Sequence, residues 1–321
     1  MIKFFTSEAG AMVLWALLAL VGAAILTPWI YVAGESLAAY ANANEASAFI
    51  EWLGAACDRA KVGRYFSRAL MLSALVLLPF LIKRIRYIGR DRNAGDITDL
   101  DKLGLKQSIL HLTSSTIIAG GILWATGLIL AQAGAFNLSP NPVETSRIVT
   151  KCLIPAVATS FIGEWLFRGL VLGLWMRASG PLQATIGSSL LFSFLHFLKP
   201  PGGVSDPTAA FAGFELLGKV FLQFIDPKFF VADFATIAVL GIILCWATLR
   251  TRSLWFAIGM HAGLVVSYKS FNLIHQYADH PLHPLGVGRD LRSGVMPLLA
   301  LLIMAVVSHF VIRKLMRPCR G

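Results

Sequence analysis

Long apolar segments, separated by short polar loops, constrain this chain more than any other feature. Eight segments approach the length that a helix needs to cross a bilayer, about 20 mostly apolar residues. They are 10–33, 68–82, 109–133, 148–176, 181–198, 233–249, 253–268 and 295–312. Because lipid offers no partner to a backbone N–H or C=O, spanning segments of this kind fold as helices. The sequence therefore predicts an all-α fold, a polytopic transmembrane bundle of about eight helices.

Composition supports the same class of protein. Of the 321 residues, 56% are hydrophobic and only 14% are charged, whereas a soluble domain carries about 25% charged residues. The net charge of +11 comes from short basic runs beside the apolar segments, where Lys and Arg set topology and contact anionic lipid. We therefore expect the lipid bilayer as a partner, and no nucleic acid.

Lys and Arg follow every second predicted helix. With eight helices these basic groups share one side of the membrane, which the positive-inside rule makes cytoplasmic, together with both termini. The first segment is too long for a cleaved signal peptide and is expected to stay as a helix. We expect a multi-pass protein of a bacterial inner or plasma membrane. The basic residues are Lys83, Arg84, Arg86, Arg90 and Arg92, then Arg177, then Arg250 and Arg252, then Arg313, Lys314, Arg317 and Arg320.

Three segments between the apolar stretches are more than simple turns. Residues 34–67 are expected to form an amphipathic helix on the membrane surface. Residues 199–232 turn from polar to aromatic and predict a re-entrant or interfacial lid. Residues 269–294 contain His275, His280 and His283, whose spacing does not match a helical metal-binding motif.

Ionisable side chains inside the apolar segments are the candidates for function, because burying them in lipid is costly. Glu164 and Arg168 lie four residues apart and share a helix face, while His196 and His261 lie in two other segments. A glutamate and two histidines on three helices form a plausible zinc site. The same groups also suit a site that activates water and stabilises an oxyanion. A structural ion pair and a proton relay are the remaining interpretations of these residues.

The order of these residues matches a known pattern. Glu164-Trp-Leu-Phe-Arg168-Gly169 is followed by Phe192-xxx-His196, and then by Ser253-Leu-Trp and His261. This order resembles the CPBP family of CAAX prenyl protease-like and bacteriocin-processing intramembrane proteases, whose motifs are EExxxR, FxxxH and HxxxN. The resemblance covers about residues 145–270. We take this range as a protease core, between N-terminal membrane helices and a surface segment (1–144) and an outer loop with a C-terminal membrane helix (271–321).

The resemblance implies a membrane endopeptidase that hydrolyses peptide bonds in membrane-associated peptide or protein substrates. Matched position by position, Glu164, Arg168, His196 and His261 are the expected catalytic residues. Family members have been viewed both as glutamate-type proteases and as metalloproteases. If this chain depends on a metal, the resemblance implies zinc as the cofactor, held by Glu164, His196 and His261.

Two positions depart from the family pattern. Gly163 replaces the first glutamate, which is usually assigned as the general base, and Val265 replaces the asparagine of the third motif. Glycine has no group that takes up a proton, and valine cannot donate a hydrogen bond. Either Glu164 serves as base from the next position, about 100° around the helix, or the chain is a catalytically inactive membrane binding or scaffold protein. A proton-coupled transporter is a third hypothesis, which the lack of an inverted repeat disfavours.

Overall fold

A computed structural model describes residues 7–44, 47–90, 100, 103–140, 143–282, 286–288, 290–292 and 294–315. Two short strands, β1 (Phe136–Leu138) and β2 (His275–Tyr277), pair antiparallel with Asn137 opposite Gln276. All other regular structure in these ranges is helical. The helices are α1 (Glu8–Ala43), α2 (Ala48–Asp58), α3 (Val62–Arg90), α4 (Leu105–Gln132), α5 (Thr145–Ala178), α6 (Pro181–His196), α7 (Ala212–Leu222), α8 (Pro227–Thr251), α9 (Leu254–Ile274) and α10 (Val295–Leu315).

Six helices of the described residues are long and apolar enough to cross a membrane: α1, α3, α4, α5, α8 and α10. Each contains one of the predicted segments, so the prediction of an all-α, multi-pass membrane protein is confirmed. The predicted count of eight is not. α6 has only 16 residues, about 24 Å of helix, and α9 is long enough at 21 residues but carries more polar side chains. Crossings by α6 and α9 therefore stay predictions.

The topology prediction also stays untested, and part of it falls on residues outside the described ranges. Arg92, Arg317 and Arg320 belong to those undescribed stretches, as does His283. The second apolar segment, which is short in the sequence, belongs to a spanning helix of 27 residues, Val62–Ile88. This helix continues past the apolar stretch at both ends, because helical hydrogen bonding does not require an apolar side chain.

The chain forms two compact units. The first unit comprises Met1–Ala94 with Leu195–Asp226, and the second comprises Gly95–Phe194 with Pro227–Gly321. His196 therefore belongs to the first unit, while Glu164, Arg168 and His261 belong to the second. The predicted protease core, residues 145–270, does not correspond to either unit, and its boundaries stay a prediction.

In the first unit, α1, α3 and α7 pack around small and aromatic side chains. A methyl group at Gly213 of α7 would lie only 1.9 Å from the carbonyl oxygen of Ala24, so glycine is required where α7 crosses α1. This contact places α7 against the apolar part of α1, and the prediction of a re-entrant or interfacial lid at 199–232 stays a prediction. The buried residues of this cluster are Ala23, Ala24, Val62, Phe66, Ala69 and Leu216.

In the second unit, α4 and α9 approach each other through small residues. A methyl group at Gly259 would lie 2.1 Å from the hydroxyl oxygen of Ser115. Close to this point Thr116 donates to the carbonyl oxygen of Gly259 at 3.1 Å, and Ser267 donates to the carbonyl oxygen of Gly120 at 2.7 Å. Small residues let helix backbones approach and exchange hydrogen bonds in lipid. This packing fixes the position of α9 and of the histidine it carries.

Candidate active site

Glu164 lies at a change of helix geometry within α5. The helix is α-helical from Ile154 to Glu164, and then opens into a π-helical segment, Trp165–Val171. Such segments are rare and are frequent at functional sites. Glu164 and Arg168 are both buried, and Nη1 of Arg168 lies 3.2 Å from Oε1 and 3.1 Å from Oε2 of Glu164. The predicted ion pair is therefore present, and it is removed from solvent.

Arg168 is held on its other sides by α8 and α6. Its Nη2 donates to the carbonyl oxygen of Gly241 at 3.0 Å. The guanidinium carbon lies 4.4 Å from the ring centroid of Phe192, a distance at which a cation is attracted to an aromatic face. The buried cation thus links α5 to two further helices of the same unit. A charge that is paired and hydrogen-bonded in this way is the kind that protein interiors tolerate.

His261 completes the constellation from α9. This helix begins with Ser253, whose hydroxyl oxygen accepts a hydrogen bond from the backbone N–H of Trp255 at 3.3 Å, so the Ser-Leu-Trp motif acts as an N-cap. Nδ1 of His261 lies 2.7 Å from Oε1 of Glu164. The ring of Phe192 stands edge-on to the imidazole, with centroids 6.0 Å apart. Three predicted residues and one aromatic neighbour therefore meet in the second unit.

The contact between Glu164 and His261 fixes the tautomer of the histidine. An ionised carboxylate only accepts hydrogen bonds, so the proton between the two groups belongs to Nδ1 of the imidazole. When the ring is neutral, Nε2 then carries a lone pair that can accept a proton. A carboxylate that orients an imidazole through Nδ1 is the arrangement that prepares a histidine for general base catalysis.

Gly163 also faces this histidine. A methyl group built at Gly163 would lie 3.6 Å from Cε1 and 3.9 Å from Nδ1 of His261, ordinary van der Waals distances. The position of the missing glutamate therefore faces the imidazole, and the backbone there has room for a Cβ atom. Val265, one turn after His261 on α9, is buried and contributes no polar atom.

The two oxygens of Glu164 differ in their hydrogen bonding. Oε1 accepts from both Arg168 and His261. Oε2 lies within ion-pair distance of Arg168, but no side chain of the described residues reaches it with hydrogen-bond geometry. The charge of Arg168 attracts this oxygen across 3.1 Å whatever the angle, so Oε2 is part of the ion pair. Nε of Arg168 is likewise buried without a hydrogen-bond partner among the described residues.

His196 is the last residue of α6, and its side chain is exposed. It belongs to the first unit, so its predicted part in the site rests on the sequence alone. Of the three residues proposed as zinc ligands, Glu164 and His261 instead contact each other at hydrogen-bond distance. Within the described ranges, no group of three or more His, Cys, Asp or Glu side chains is arranged to hold a metal ion. The zinc site expected from Glu164, His196 and His261 therefore stays a prediction.

The histidines near β2 serve packing. His275 is buried and stacks on Phe271, with ring centroids 4.1 Å apart. His280 accepts a hydrogen bond from the backbone N–H of Leu282 at 3.2 Å.

Three features of this site could not be predicted from the sequence. The carbonyl of Gly241 has no sequence signal, because every residue has the same acceptor. Phe192 appears in the FxxxH motif, but its double contact with a cation and an imidazole follows only from the packing of α6. The π-helical segment of α5 is equally invisible in residue types.

Comparison with known proteins supports the family and gives no closer relative. No curated protein and no solved structure matches the chain. Residues 145–267 match the sequence model of the family described as type II CAAX prenyl endopeptidase Rce1-like. This range includes all three motifs, and with them Glu164, Arg168 and His261. This match supports the assignment of residues 145–267 to the CPBP family of CAAX protease-like membrane proteins, which the motifs predict.

Proposed function

We propose that the chain is an intramembrane endopeptidase of the CAAX protease-like type, which hydrolyses peptide bonds in membrane-associated peptides or proteins. The observation that carries this proposal is the buried hydrogen bond between Glu164 and His261, 2.7 Å long, inside the segment that matches the family. A carboxylate–imidazole pair of this kind has the groups that proton transfer to and from water requires.

The hydrolysis is assigned to the imidazole rather than to the carboxylate. Oε1 of Glu164 already accepts from His261 and Arg168, so this carboxylate orients and does not attack. Nε2 of His261 takes a proton from water as the water oxygen bonds to the scissile carbonyl carbon. When the C–N bond breaks, the same nitrogen returns the proton to the leaving amine. Arg168 pairs with the buried carboxylate and compensates its charge.

We also propose that α6 and α9 cross the membrane. α9 spans about 32 Å at 1.5 Å per residue, which matches the hydrocarbon core of about 30 Å. If α6 and α9 cross the membrane in addition to the six long helices, the chain has eight crossings. The basic loops then face the cytoplasm together with both termini, in a bacterial plasma membrane. His196 keeps its predicted catalytic part from the motif alone.

A noncatalytic family member is the second candidate, and a specific observation favours it. Gly163 and Val265 remove the base and the donor that the family pattern supplies, although a Cβ at position 163 would meet the imidazole of His261 only at ordinary van der Waals distance. Such a protein would bind a membrane peptide or act as a scaffold without turnover.

The test uses the full chain in detergent, with a peptide attached to a lipid anchor as the substrate. We expect the wild type to cleave it, and Glu164→Gln and His261→Ala each to abolish cleavage. Glu215→Gln is the matched control, because Glu215 pairs with Lys219 at 2.9 Å on an exposed face. Its cleavage rate should equal that of the wild type.

Each result separates the two candidates. Unchanged cleavage in both site variants would overturn the assignment of the site. No cleavage by the wild type, with binding of the same peptide retained, would establish the noncatalytic member. In that case the double substitution Gly163→Glu and Val265→Asn should create activity.

A further inference from the structure

α2 presents two adjacent aromatic side chains that the proposed function does not use. Phe49 is 67% exposed and Trp52 is 63% exposed. Their rings are stacked, with centroids 6.1 Å apart and planes at 29°. Large apolar side chains that stand exposed side by side mark a surface that something covers.

The opposite face of α2 is packed against α1 and α3 of the same unit. A methyl group at Gly54 would lie 2.6 Å from Cβ of Ala41. Next to this contact, the hydroxyl of Tyr65 donates to the carbonyl oxygen of Cys57 at 3.0 Å. α2 is therefore fixed on its inner face, and this packing directs Phe49 and Trp52 outward.

The position of α2 relative to the membrane surface follows from its contact with α1. The apolar run of α1 ends near residue 33, and Gly54 contacts the stretch from Leu37 to Ala41. This stretch begins four residues beyond the run and ends eight beyond it, which is about 6–12 Å along a helix axis. The headgroup region extends roughly 5–8 Å past the hydrocarbon on each side. The nearer end of this contact, about 6 Å past the apolar run, therefore lies at the level of the headgroups.

The start of α3 gives the same level independently. Tyr65, which binds the last turn of α2, lies between Arg64 and Arg68, and both arginines are exposed. Arg68 also stacks on the ring of Tyr65, with its guanidinium carbon 5.8 Å from the centroid. Cations with apolar neighbours at the end of a spanning helix are typical of the membrane interface.

The charges around α2 suit phospholipid. The turn from α2 into α3 carries exposed Arg59 and Lys61, followed by Arg64, while Glu51 and Asp58 are the acidic residues of the helix. Three cations against two carboxylates leave a net positive edge, which attracts lipid phosphate. The helices on either side of α2 in the chain, α1 and α3, are both long and apolar enough to cross a membrane.

We propose that α2 is an interfacial anchor, which inserts Phe49 and Trp52 at the boundary between the headgroups and acyl chains of phospholipids. Arg59, Lys61 and Arg64 lie beside the phosphates. Tryptophan and phenylalanine on the apolar face of a short helix favour this boundary. The anchor fixes the turn between the first two spanning helices against the membrane surface.

The test measures the environment of Trp52 in the full chain, reconstituted into phosphatidylcholine vesicles. The emission of Trp52 is the difference between the wild type and Trp52→Phe, a substitution that keeps the aromatic pair. We expect this difference to be quenched by lipids brominated near the headgroup, and to be protected from aqueous iodide. Phe49→Trp provides a second reporter on the same face, which should respond in the same way.

Two outcomes would overturn the anchor. Quenching of the difference emission by iodide but not by brominated lipid would show that the pair faces water. Protection from both quenchers would show that protein covers it, either a second copy of this chain or another partner.

Discussion

Replacing Glu164 by Gln tests the buried ion pair most directly. Glutamine has the same shape as glutamate but no charge, so Arg168 would stay buried without a counter-charge. Removing one partner of a buried ion pair costs about 3–5 kcal/mol of folding free energy. The hydrogen bond from Arg168 to the carbonyl of Gly241 would remain, so we expect the lower part of this range.

The same substitution changes the histidine. An amide at position 164 can present N–H to Nδ1 of His261, and would then favour the tautomer that carries its proton on Nε2. A histidine protonated on Nε2 no longer takes a proton from water. In a comparable catalytic triad, an exchange of carboxylate for amide lowers turnover about 10⁴-fold. We therefore expect turnover to fall further than the loss of stability alone would explain.

The measurement compares two Glu→Gln variants in mixed detergent micelles. Glu164→Gln should lower the free energy of unfolding by about 3 kcal/mol. Glu215→Gln breaks a partly exposed pair, which contributes only about 0–1 kcal/mol. Equal destabilisation by the two variants would show that the ion pair of α5 is not buried in the way the structure describes.

Three further predictions concern packing and charge elsewhere in the molecule. Phe192→Leu removes the ring that stacks on a buried guanidinium at 4.4 Å, and should lower stability in detergent by about 0.5–2 kcal/mol for the cation–π contact alone. Gly213→Ala should destabilise the fold, because its methyl would meet a backbone carbonyl of α1. Gly218→Ala on the same helix meets no atom within 4 Å and should stabilise it by up to about 1 kcal/mol. Equal changes in melting temperature for Gly213→Ala and Gly218→Ala would contradict this packing. In the loop before α7, hydrogen bonds from the Thr208 hydroxyl and backbone lower the pKa of Asp206. These hydrogen bonds should order the loop above the ordinary pKa of a carboxyl group, and this order should be lost as the pH falls through the lowered pKa of Asp206. Protection of the Thr208 amide from hydrogen exchange should follow the same pH dependence in the wild type but not in Asp206→Asn.

The membrane fold was predictable because lipid selects apolar side chains, and the sequence shows them directly. The limits of the helices were not. α1 continues to Ala43, ten residues past its apolar run, because it is stabilised there by packing on α2 rather than by lipid. The crossings assigned to α6 and α9 depend on length and polarity together. α6 is apolar but short at 16 residues, and α9 is long enough at 21 residues but carries more polar side chains.

The site was predictable to the extent that residue types reveal it. Glu164, Arg168 and His261 are ionisable groups inside apolar helices, so the cost of burying them identified all three. Their contacts depend on backbone geometry that no residue type encodes. The π-helical segment after Glu164 and the carbonyl of Gly241 are such features. The spacing of residues on an ideal helix also separated Gly163 from Glu164 by about 100°, whereas both positions face the imidazole of His261.

This shared direction makes Gly163→Glu, as a single substitution, a test of which group is the base. In an enzyme that uses His261, a second carboxylate next to the ring would compete with Glu164 for Nδ1 and add a like charge to a buried site. Cleavage should then fall, and stability with it. In an inactive chain that lacks only its base, the new carboxylate would sit where the family pattern places one, and cleavage should rise from zero. The sign of the change in cleavage rate, measured with the lipid-anchored peptide, therefore decides between an imidazole and a carboxylate as base. If the wild type cleaves the peptide and the substitution leaves its rate unchanged, position 163 does not face the reacting groups.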